Sequence, residues 1–116
     1  MRVVFVLLGL LAAPMAAQAE FAQVSERERF VSLIEGRDLT RFGIRLVVTP
    51  DGQIQGRAFG RDVTGAWRWT QGYFCRDLYW GHMELGANCQ AVRQRGNTLR
   101  FISDQGNGRH ADLYLR

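Results

Sequence analysis

Cys75 and Cys89 enclose Tyr79, Trp80, His82, Met83 and Glu84, the densest gathering of reactive side-chain types in this sequence. Three chemistries use such a set. Thiolates and imidazole are ligands for copper or zinc, so Cys75, His82 and Cys89 could hold a metal with Met83 or Glu84 as a fourth donor. No close pair of the C-x-x-C or H-x-x-x-H kind stands here to start such a site. Thiol redox catalysis asks for a C-x-x-C at a helix start, which is missing as well. The third chemistry is a structural disulfide, and the compartment decides in its favour.

The chain opens with Met1-Arg2, continues through an apolar run from Val3 to Ala13, and ends the run in Ala17-Gln18-Ala19. A charged start, a short apolar middle and an A-x-A end are the three parts of a secretory signal peptide, with cleavage expected before Glu20. The run is shorter than the roughly 20 apolar residues that span a bilayer, so stable membrane insertion is not expected after cleavage. The expected product is periplasmic or secreted. In that oxidising setting, two cysteines in a small domain predict one disulfide, Cys75 to Cys89, and no metal.

Other catalytic sets are weaker. Ser103, Asp104 and His110 lie close together in sequence, but no nucleophile elbow accompanies them. Alternation on a strand puts His110 on the face opposite Ala111, toward solvent. Glu35, Asp77 and Glu84 have no spacing that marks them as an acid and base pair. Neither G-x-G-x-x-G nor G-x-x-x-x-G-K-[ST] occurs, so no nucleotide cofactor is expected. The sequence therefore nominates no catalytic residue and no cofactor. The aromatic residues point to binding instead. Trp67 and Trp69 share one strand face, while Tyr79 and Trp80 stand between the cysteines with Arg76 and His82. Trp69, Arg76, Tyr79, Trp80 and His82 are the candidates for contact with a small ligand or a protein partner.

All fifteen basic residues are arginine, against eleven carboxylates. They are spread along the chain with acids between them, and no basic run forms, so nucleic acid is not an expected partner.

The elements that must position these residues follow from periodicity. About 97 residues after Glu20 make one domain with one core. Ser25 and Glu28 have the spacing of a capping box, which predicts a helix carrying Phe30, Val31, Leu33 and Ile34 and ending at Gly36. After Gly43 the period changes to two. Ile44, Leu46 and Val48 alternate with Arg45, Val47 and Thr49, and turn signals recur at Pro50-Asp51-Gly52, Gly60-Arg61-Asp62, Gln71-Gly72, Gly96-Asn97 and 104–108. About seven strands are expected, at 44–49, 53–59, 64–70, 73–80, 89–94, 98–103 and 109–115. Leu99, Phe101, Ala111, Leu113 and Leu115 mark inward faces. The expected fold is mainly β: an antiparallel meander closed into a small barrel or sandwich, preceded by one helix that plugs an end or covers an open side. Residues 76–88 are expected to form a loop tethered by the disulfide.

The stretch GRDLTRFGIRLVVTPDGQIQGRAFGRDVTGAWRWTQGYFCRDLYW, with NCQAV and LRFISDQGNG, resembles a group of small exported alphaproteobacterial proteins of unassigned role. Some members are labelled dihydrodipicolinate reductase. The glycine loop and catalytic lysine which that enzyme family would imply have no counterpart here, since lysine is absent from the chain. The expected architecture is also similar to that of exported inhibitors of bacterial metalloproteases, small barrels with one disulfide and an N-terminal arm that enters the protease. The helix expected from Ser25 would interrupt such an arm.

Overall fold

The structure is a computed structural model and describes residues 20–116. The expected signal peptide, residues 1–19, lies outside the described residues.

The chain runs through β1 (Ala22–Val24), α1 (Arg27–Ile34), β2 (Asp38–Arg41), β3 (Ile44–Val48), β4 (Gln53–Ala58), β5 (Arg61–Thr70), β6 (Tyr73–Trp80), β7 (Met83–Glu84), β8 (Asn88–Arg95) and β9 (Thr98–Ile102). A single turn, α2 (Ser103–Gly106), with left-handed backbone at Asp104 and Gln105, leads into β10 (His110–Leu115). The fold is mainly β, as the alternation predicts, and the choice between sandwich and barrel falls to the barrel. Strands β2 to β6 and β8 to β10 form a closed antiparallel ring of eight, because β6 also pairs with β8 and β10 returns to pair with β2. Closure removes the edges that an open meander would leave exposed.

Three strands go beyond the expected seven: β1, β2 and β7. In β2 only Leu39 is apolar, and it is fully buried. Beyond the last residue paired with β6, β8 runs on as far as Arg95, and β1 takes over that side by pairing with Val92, Arg93 and Gln94. The meeting of β2 with β10 joins residues from opposite ends of the domain, Leu39 with Leu115 and Thr40 with Tyr114.

Helix α1 plugs one end of the barrel. It begins at Arg27 with Glu26 as an extended N-cap, so the Ser25 and Glu28 capping box does not form. Ser25 instead offers its carbonyl oxygen to the Trp69 indole N–H at 3.1 Å. Phe30 is fully buried, and its ring centroid lies 5.3 Å from Trp67, 5.0 Å from Trp69 and 5.1 Å from Phe74. Rings packed at such distances add about 0.5–1.5 kcal/mol per pair beyond the area they bury. Two arginines fasten the plug from outside: Arg27 donates to the Pro50 carbonyl at 2.8 Å and Arg29 to the Gln94 side chain at 2.6 Å. Gly36, at φ 72°, releases the chain from the helix into β2.

Two inward glycines shape the other end. A Cβ at Gly56 would collide with the Arg45 carbonyl oxygen, and one at Gly65 with that of Asp77. Close backbone approach of this kind lets barrel strands coil sharply. It also leaves two inward positions with no side chain to fill the lumen.

Candidate functional site

Inward alternation continues past the aromatic plug to the far end. On β3 the inward row is Val48, Leu46, Ile44, and on β6 it is Phe74, Arg76, Leu78, Trp80. Above Phe74 and Phe101 the rows enclose a chamber of about 180 Å³, walled mainly by Leu39, Leu46, Val48, Ile54, Leu78 and Leu113. Its lining carries two polar side chains, Arg76 and Gln90. Leu46 and Leu78 also line a mouth of about 330 Å³, whose other walls are Ile44, Ala58, Phe59, Val63, Trp80 and Leu85. Every side chain lining the mouth is apolar apart from the indole N–H of Trp80, which donates to the Ala58 carbonyl at 2.7 Å. Chamber and mouth thus adjoin at Leu46 and Leu78, as a concave apolar site with two polar side chains in the chamber wall.

Arg76 is held half-buried by its place on β6. Its Nη1 donates to the Gly86 carbonyl at 2.7 Å. Burial draws the guanidinium pKa below its ordinary value, with Asp77 opposing that shift. The ion pairs among the described residues are Arg45 with Asp38, Arg57 with Asp62 and Arg100 with Asp112; Arg76 belongs to none of them. Gln90 is buried and its Nε2 donates to the Ser103 hydroxyl at 3.2 Å.

The cysteines are joined, as the expectation of an exported domain with two cysteines predicts, and Cys75 faces Cys89 across the β6 to β8 ladder. The residues between them are no tethered loop. Strand β6 runs on to Trp80, turns at Gly81-His82, and returns as β7 with Tyr79 opposite Glu84 and Trp80 opposite Met83. Most of the segment is hairpin because its alternation simply continues that of β6.

The five binding candidates are dispersed by this geometry. Trp69 belongs to the plug, stacked on Phe30. Arg76 reaches the chamber and Trp80 the mouth. Tyr79 points outward, and His82 sits on the outside at the β6 to β7 turn beside Arg61, Asp62 and Met83. Arg61 covers the Trp80 ring, its guanidinium carbon 4.6 Å from the ring centroid.

The weaker constellations come apart as well. Asp104 exchanges two hydrogen bonds with the Asn88 side chain at 2.9 Å, while His110 is exposed. With both sulfurs in the disulfide, no three His, Cys, Asp or Glu side chains among the described residues come together as a metal site.

Sequence reasoning missed the rim. Phe42 and Phe59 are 90% and 63% exposed at the tips of the β2 to β3 and β4 to β5 turns, and Leu85 is 48% exposed nearby. A phenylalanine immediately before a turn glycine, in Phe42-Gly43 and again in Phe59-Gly60, was the available signal. Phe59 folds back over Gly43, where a Cβ would strike its ring, and donates its backbone N–H to the Gly43 carbonyl at 2.8 Å. The outer face of β2, β3 and β4 carries a broader depression with Arg41, Arg45, Arg57 and Tyr114, but two of its arginines are already engaged by Asp38 and Asp62.

Comparison with protein-family models, with curated proteins and with solved structures finds no match to this chain.

Proposed function

We propose that this protein is a non-enzymatic carrier, periplasmic or secreted, that takes a small apolar or amphiphilic molecule into the open end of its barrel. The observation that carries the reading is that chamber and mouth adjoin through Leu46 and Leu78, against an opposite end filled by Phe30, Trp67 and Trp69. Together their volumes reach the range of small-molecule sites, about 300–1,000 Å³. The disulfide supports an oxidising, exported setting. An inhibitory arm is less well supported. Ala22–Val24 is hydrogen-bonded into the sheet beside β8, and Phe21 lies beneath Arg95 and Arg100, with ring centroid distances of 4.3 and 4.0 Å.

The test is titration of the purified protein with the neutral probe N-phenyl-1-naphthylamine. Fluorescence should rise and saturate. Leu78→Trp, which fills the junction, and Ala111→Phe, which enters the chamber from β10, should each weaken binding about tenfold or more, a change of roughly 1.4 kcal/mol. Absence of saturable binding would overturn the reading, and so would binding that both folded variants leave unchanged.

A further inference from the structure

We propose that the ligand is a carboxylate amphiphile that enters head first, its carboxylate on Arg76 in the chamber wall and its hydrocarbon in the mouth. The inference rests on the carrier reading and specifies its ligand.

The distribution of polarity sets the direction. An amphiphile lying tail first would place its apolar end against the two polar side chains of the chamber and its charged end in a ring of apolar ones. Head first, each end meets its own kind. The charge then follows from Arg76. A half-buried guanidinium with one hydrogen bond to Gly86, the field of Asp77 and no carboxylate in salt-bridge contact has given up hydration without a directly paired counter-charge. Its planar fork matches a carboxylate, and paired charge-assisted bonds in a desolvated site are stronger than those to a neutral hydroxyl. Gln90, on the same chamber wall, adds an amide able to orient the second oxygen.

Arg61 is the rival anchor, since it stands at the rim over Trp80. It is exposed to water and already has the indole face as a partner. An anion there would gain a screened contact only. Tail-first binding would use Arg61, so the two arginines separate the two orientations.

The experiment is calorimetric titration of the purified protein with decanoate, decanol and decylamine at one pH and ionic strength. Decanoate should bind about ten- to a hundredfold more tightly than decanol, and decylamine most weakly. Arg76→Met should bring decanoate down to the level of decanol, whereas Arg61→Gln should preserve the preference. Equal affinities for decanoate and decanol would overturn the carboxylate anchor and leave the carrier reading standing. Loss of the preference in Arg61→Gln alone would overturn the head-first orientation. Failure of all three to bind would remove the carrier reading and this inference together. Should Arg76→Met not fold, the comparison of the three ligands on the unaltered protein, with Arg61→Gln, still decides.

Discussion

Cys75 and Cys89 form a directly registered pair on β6 and β8, the middle one of three pairs in the seam that closes the barrel. Phe74 with Gln90 and Arg76 with Asn88 are the other two. The covalent bond therefore reinforces one of the two short ladders of the ring, the other being the pairing of β2 with β10.

Replacing both cysteines by alanine should cost on the order of 2–5 kcal/mol, since the bridge constrains the unfolded chain over a loop of about 15 residues. Urea unfolding of the two forms would measure the loss. Amide exchange should accelerate first at Phe74, Cys75 and Arg76, before β3 and β4. A uniform loss of protection would mean that the seam is held by packing alone.

Asp112 gives the fold a pH dependence with a definite sign. Arg100 reaches it through both Nε and Nη2, at 2.8 and 3.0 Å, and these hydrogen bonds hold the Asp112 carboxyl below the usual carboxylate range. A group whose folded pKa is depressed adds stability above its unfolded pKa and loses it as pH falls through the folded value. Melting temperature should therefore decline through the acid range below about pH 4. Asp112→Asn should flatten that decline while leaving other carboxylates to titrate. An acid limb of unchanged slope would show that the fork is without effect on stability.

The legibility of this fold divides along physical lines. Alternation within one strand is local, so Ile44, Leu46 and Val48 declare an inward face, and Leu99, Phe101 and Leu115 declare another. The disulfide is equally legible, because the expectation of export and a chain with two cysteines already point to it. Pairings between distant parts of the chain leave no local trace. Strand β2 exists because Leu115 waits beside Leu39, and β1 because β8 outruns β6. The capping box of Ser25 and Glu28 is a local preference that the fold does not use: the helix starts one residue later, with Glu26 as N-cap, and the Ser25 carbonyl accepts from the Trp69 indole. The same limit applies to the site. Arg76, Leu78 and Trp80 share inward parity with Phe74, but which of them meets a plug and which meets open space depends on where α1 docks.

Trp69 and Trp80 show that dependence most sharply, and they offer a readout of it. Both are inward tryptophans with bonded indole N–H groups, yet Trp69 stacks on Phe30 in the plug while Trp80 lines the mouth. Trp67, 5.3 Å from Phe30, lies with Trp69. A ligand in the mouth should change the environment of Trp80 and leave the other two nearly untouched. Tryptophan emission should therefore shift to the blue on adding decanol, as water beside the exposed edge of the Trp80 ring is displaced. The variant Trp80→Phe should lose that shift, because Trp67 is buried and Trp69, though partly exposed, stands at the plug end, away from the mouth. Trp69→Phe should keep the shift and instead lower the melting temperature, since it shrinks the ring stacked on Phe30 and removes the bond to Ser25. A shift that survives in Trp80→Phe and disappears in Trp69→Phe would place the ligand at the helix end and reverse the assignment of open and closed ends.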